Sequence, residues 1–164
     1  MIKKILILLS TTIALFALWI IALEKIYAQI LTYGASLILS PFPKVTPVLK
    51  LDQAHPDFCV AVGNDGYCMQ LELFGLSIII ILSWYVLLNS IFRTKKILFL
   101  SAKRLLLFYM IQIIAMSTLA LYDYGTFFQQ LNDALRQSFI IIALVFIIWD
   151  NYLFGIFQFG KKTT

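Results

Sequence analysis

The side chains able to do chemistry are few and fall into two stretches. Cys59 and Cys68 are the only cysteines in this chain of 164 residues, and the single histidine, His55, lies just before them with Asp52 and Asp57. A thiolate needs neighbouring positive charge to form and attack, a metal needs several ligands at once, and two cysteines in an oxidising compartment form a disulfide. Three fates are therefore open to the pair: a bridge, two free thiols, or a reactive Cys68. The mixed set His55, Asp52, Asp57, Cys59 and Cys68 has none of the recognised zinc spacings, so His55 reads as a solvated loop residue. The second stretch is WDNYLF, where Asp150 and Asn151 interrupt an apolar run. An ionisable residue inside a membrane is a functional candidate because its burial is costly, and Asp150 would then suit a small transporter or proton path. With Trp149 and Tyr152 beside it, Asp150 also fits the inner interfacial belt. Asp123 and Asp133 flank a short segment at dyad-like separation but read as solvated loop acids. No phosphate loop, nucleophile elbow, paired histidine ligands or dinucleotide fingerprint occurs, so no cofactor is expected.

The elements that must hold these residues follow from composition. Hydrophobic residues make up 62% of the chain and charged residues only 13%, against roughly 45–50% and about 25% for a soluble domain. That surplus has no water-facing surface to occupy, which excludes a soluble enzyme. The fold class expected is all-α integral membrane, one domain over 1–164 with four transmembrane helices. Spanning hydrocarbon as a helix takes about 20 apolar residues. Four runs qualify, at about 5–23, 73–92, 105–122 and 137–157. Asn89 in the second and Gln112 in the third read as hydrogen-bonding glue between helices. The hexapeptide Ile97 to Ala102 is too short to span; it extends the third helix or lies among headgroups.

Loops rich in Lys and Arg stay cytoplasmic. If the spans alternate, Lys3, Lys4, Arg93, Lys95, Lys96, Lys103, Arg104, Lys161 and Lys162 share one side, nine of the thirteen basic residues. Both termini are then cytoplasmic and the chain belongs to the inner or plasma membrane. The net charge of +5 reflects topology and attraction to anionic lipid, not nucleic acid.

The first outer loop, 24–72, is the largest part outside the membrane. Ile26 to Ser40 suits a helix along the outer interface or packed on the bundle, ended by Pro41, Pro43 and Pro47. Val48 to Asp52 reads as a short strand. Within 58–71 the pattern FCVAVGNDGYCMQ gives a small extracytoplasmic β-hairpin: Phe58 to Val62 runs out, Gly63-Asn64 accepts the turn, and Tyr67 to Leu71 returns. In that register Val62 faces Asp65 and Cys59 faces Cys68, within disulfide reach, with Phe58, Val60, Tyr67 and Met69 on one face. An Asn64-Asp65 turn would break the pairing.

From about Tyr27 to Phe146 the chain resembles the C-terminal half of the exosortase and archaeosortase family, membrane cysteine transpeptidases of prokaryotic envelopes. The likeness lies in ILTYGASLIL, in GNDGYCMQLELFG placing a cysteine just before a span, in the basic inner loop, and in LALYDYG closing the third span. The resemblance implies Cys68 as nucleophile and Arg136 as the basic group beginning the last span; the family's middle arginine has no counterpart between Tyr109 and Tyr122. The cysteine pair in the first outer loop is also similar to a claudin-like arrangement. Without a convergent polar site, the leading expectation is a small non-catalytic polytopic subunit or assembly factor whose partners are other integral membrane proteins and the lipid bilayer.

Overall fold

The computed structural model describes residues 2–51, 55–62 and 65–157. Four of its helices are long and apolar enough to cross a membrane. The first does not stop at Leu23. α1 (Ile2–Leu18) runs through a π-helical turn (Trp19–Leu23) into α2 (Glu24–Leu39), giving one continuous helix of 38 residues where a span and a separate helix, interfacial or packed on the bundle, were expected. Glu24 and Lys25 end the apolar run but are good helix formers, so the charge marks a change of environment without breaking the backbone. At 1.5 Å per residue this helix is about 57 Å long, roughly twice the hydrocarbon thickness.

The π turn changes which face looks inward. Trp19 is buried, and a 3.6-residue repeat carried on from it returns near Ile26, Ile30 and Tyr33, all of which are exposed. The residues that pack are instead Ala28, Leu31 and Ala35, one or two positions later, a shift of the kind the extra residue of a π turn supplies. Trp19 itself fits against Gly75, where an added Cβ would stand 2.5 Å from the indole. α2 ends at Leu39, followed by a turn closed by Phe42 N–H to Leu39 C=O (2.9 Å), with Pro41 and Pro43 unable to extend the helical ladder.

The outer loop forms a three-stranded antiparallel sheet, β1 (Val45–Lys50), β2 (Asp57–Val62) and β3 (Asp65–Gln70), in the order β1-β2-β3. The hairpin has the expected register, Val62 opposite Asp65 and Cys59 opposite Cys68, and the two cysteines are joined as a disulfide. The turn residues Gly63 and Asn64, like Asp52, lie outside the described residues. The expected strand at Val48 starts earlier, at Val45, and includes Pro47. Proline is tolerated there because β1 pairs only with β2 and is an edge strand. Phe58, Val60 and Met69 are buried, and Tyr67 meets Tyr122 ring to ring with centroids 4.8 Å apart.

α3 (Glu72–Phe92) is the central helix, packed by α1, α4 (Lys95–Ser117) and α5 (Thr126–Phe154). The hexapeptide 97–102 belongs to α4, which starts at Lys95 with Thr94 as its N-cap. A 3₁₀ segment, Thr118–Tyr124, follows α4, and α5 begins at Thr126, eleven positions before the expected start at Gln137. Lys4 Nζ donates to the Ile156 carbonyl (2.8 Å) and Phe92 meets Phe154. The start of α1 and the ends of α3 and α5 therefore share one end of the bundle, and the sheet sits at the other, where Leu71 N–H bonds Pro56 C=O.

The bridge closes a loop with a sequence separation of 9. Replacing both cysteines by serine is expected to cost the sheet about 2–3 kcal/mol through the freed loop. Limited proteolysis should then cut faster within 45–70 while the helical circular dichroism signal is unchanged.

Candidate functional site

The most strongly charged site lies inside the bundle near the end opposite the sheet. Because α4 begins at Lys95, Arg104 is carried about 14 Å into the helix from its first residue, away from the inner loop in which the sequence pattern placed it. There it pairs with Asp150 of α5, whose side chain has no exposed surface. The Tyr85 hydroxyl of α3 is the third member, beside the Arg104 guanidinium. One turn below, Asn89 donates to the Tyr85 carbonyl (2.8 Å) and to Ser101 Oγ (3.2 Å). A lone carboxylate sealed from water costs several kcal/mol. The guanidinium, which is always charged and presents several donors, offsets that cost by direct pairing. Asp150 is thus enclosed by the bundle, one turn from the end of α5.

A second polar knot ties three helices in the half of the bundle nearer the sheet. Tyr27 of α2 donates to Gln112 Oε1, and Gln112 Nε2 donates to Ser77 Oγ (3.1 Å) and the Phe74 carbonyl (3.2 Å) of α3. Tyr109 donates to the Ile30 carbonyl (2.9 Å), so α2 and α4 are joined twice. Nearer the sheet, Asn132 of α5 donates to Thr118 Oγ1 (3.0 Å). The two amides singled out as glue, Asn89 and Gln112, both bridge helices.

At the sheet end, Cys68 and Arg136 line one small cavity of about 280 Å³ together with Tyr67, Tyr122 and Asp133. Arg136 lies 3.9 Å from Asp133, its neighbour one turn back. The structure thus brings together the two residues that the family resemblance named. Cys68, however, is bonded to Cys59, and a disulfide sulfur carries no thiolate to act as nucleophile. Asp133 is exposed and paired, and the side chain of Asp123 lies outside what is described. Among the described residues no three of His, Cys, Asp and Glu gather as a metal site. His55 instead contacts Glu24 Oε1 through Nδ1 at 2.9 Å, tying the loop before β2 to α2.

Sequence reasoning missed Arg104, Tyr85 and Tyr27 as site residues. The signal for Arg104 was present: continuing α4 helically through the apolar hexapeptide puts it in the span, and Asp150 needs a cation. Tyr27 and Tyr85 look like ordinary apolar-run aromatics, and only the three-dimensional path of the helices brings their hydroxyls to polar partners. Comparison with protein-family models, with curated proteins and with solved structures finds no match.

Two outcomes follow. Removing one partner of a buried pair leaves the other uncompensated, so Arg104→Gln and Asp150→Asn should each destabilise the bundle by about 3–5 kcal/mol, read as loss of folded protein on titrating a denaturing detergent into micelles. His55 has a pKa raised above 6.5, first by its hydrogen bond to Glu24 and then by the Glu24 charge. A raised folded value means that the contact stabilises fully below the ordinary histidine range and is lost as pH rises through the folded value. In an NMR titration the His55 ring should titrate above its ordinary value, and Glu24→Gln should bring it back down.

Proposed function

We propose that this chain is a small non-catalytic subunit or assembly factor of the inner or plasma membrane, whose first helix packs against partner membrane proteins. The observation that carries this reading is the state of α1. It buries none of its side chains, and only Ile7, Leu8 and Leu15 pack partly against the core. Leu6, Leu9, Ile13 and Phe16 are exposed, and so are the small residues Ser10, Ala14 and Ala17 at helical spacing between them. In lipid, helices associate through close packing at small residues, because apolar surface alone gives no drive to leave the lipid. Arg104 with Asp150, and Gln112 with Tyr27 and Ser77, are by contrast engaged with one another in the core, and both sulfurs are bonded. The bundle end holding Lys4, Arg93, Lys95 and Lys96 is opposite the sheet, which supports cytoplasmic termini and an extracytoplasmic cap.

Ala14→Trp places a large ring on this face without touching the core. The chain should then lose the membrane proteins that co-purify with the native form from mild detergent, with its disulfide intact and helicity unchanged. Extraction of the native chain as a monomer, with no cross-link from Ala14 substituted by a photoreactive residue, would overturn the proposal.

A second reading rests on the shared cavity of Cys68 and Arg136: an exosortase-like cysteine enzyme, or a degenerate relative of one, active only with the bridge reduced. Ready alkylation of Cys68 in native membranes without prior reduction would favour it, and a quantitative bridge there would exclude it.

A further inference from the structure

Between the lower halves of α3 and α4 lies an open groove of about 490 Å³ that faces outward from the bundle, away from the polar cavity at the sheet end. Its chemistry changes along its length. Leu82, Val86 and Leu105 line the part nearer the sheet, and toward the end of α3 the lining gains Asn89, Ser90 and Arg93, with Leu98 of α4 across from them. Arg93 is exposed at the α3–α4 turn, with Lys95 and Lys96 exposed on the first turn of α4 beside it. Among the described residues none of these three cations has an ion pair; the one acid at this level, Asp150, is matched by Arg104. Apolar walls leading to an unmatched cationic mouth have the polarity of a phospholipid laid along the bundle. Basic pockets between spanning helices hold anionic headgroups by the same combination of charge and depth.

We infer that this groove is a binding site for one anionic phospholipid, its headgroup phosphate at Arg93 and an acyl chain along Leu82, Val86 and Leu105. Charge at the mouth selects anionic over zwitterionic lipid, and the apolar wall selects a lipid over a soluble phosphate. The occupant is a bilayer lipid and does not depend on the identity of any protein partner.

The test uses the full chain, delipidated in neutral detergent and examined by native mass spectrometry with phosphatidylglycerol or phosphatidylcholine of identical acyl chains. Phosphatidylglycerol should be retained in preference, as a single bound copy. Arg93→Gly removes the charge while suiting the left-handed backbone at this position (φ 47°), so the fold is kept; retention should fall about fivefold, the effect of one basic side chain near a charged lipid. Val86→Trp fills the apolar wall with every charge in place and should also abolish the bound copy, whereas Lys44→Gln at the far end should leave it unchanged. Equal retention of the two lipids, insensitivity to Arg93→Gly, or insensitivity to Val86→Trp would overturn the inference. So would displacement of the lipid by millimolar inorganic phosphate, which would make the mouth a plain anion site.

Discussion

A guanidinium and a carboxylate meet where the carboxylate has no access to solvent, Arg104 on α4 and Asp150 on α5, and the arrangement of the helices depends on this meeting. Apolar surface gives helices in lipid little reason to choose one neighbour or one rotation over another, so polar ties carry much of the specification. A charge pair does this most strictly, since sliding either helix by a turn would leave both charges unmatched. The remaining ties are distributed in the same way. Gln112 and Asn89 join α3 to α4, Tyr27 and Tyr109 join α2 to α4, and Asn132 joins α5 to the turn after α4. Among the described residues, the one polar tie from α1 to the rest of the bundle is the Lys4 ammonium on the Ile156 carbonyl at its extreme end. α1 is the least specified helix, and that is the ground on which we propose its outer face as the docking place for a partner.

Much of the fold was legible in the sequence because hydrocarbon length and strand alternation are strong constraints. The spans around Leu73 to Phe92 and Leu105 to Tyr122, and the opposition of Cys59 and Cys68, follow from run length and a two-residue turn. What could not be read has identifiable causes. Glu24-Lys25 ends an apolar run without ending a helix, so the chain continues to Leu39 where a break was expected. The π turn at Trp19 then shifts the packing face from Ile26 and Ile30 to Ala28 and Leu31, a change that periodicity cannot anticipate because it alters the period itself. β1 starts at Val45 and takes in Pro47, because an edge strand has a free side for the missing donor.

The candidate site was half legible. Asp150 stood out by its charge in an apolar run, but its depth depended on a partner eleven residues past a basic loop's first member, Arg93. The charge pattern puts Arg104 in the inner loop with Lys103, although the two side chains lie on different faces of α4: Lys103 is exposed and Arg104 turns inward. Cys68 and Arg136 line one cavity, yet the bridge to Cys59 gives the sulfur a structural role in the cap. The sheet, held by that bridge and by His55 on Glu24, covers the end of the bundle opposite the cationic mouth between α3 and α4. The two ends of the molecule thus carry different chemistry, a disulfide-pinned cap at one and a positive rim at the other.

The central claim is that Arg104 and Asp150 are present to match one another inside the bundle, so that losing either one costs more than losing both. Replacing both at once, Arg104→Met with Asp150→Leu, tests it most directly, because buried ion pairs exchanged for apolar residues of similar size are often neutral for folding. The double variant should fold and co-purify with the same membrane partners as the native chain, measured by native gel and mass spectrometry from the producing cells. A variant that folds and keeps its disulfide but behaves in those cells like a deletion, with its partners still bound, would contradict the account and assign the pair a chemical role.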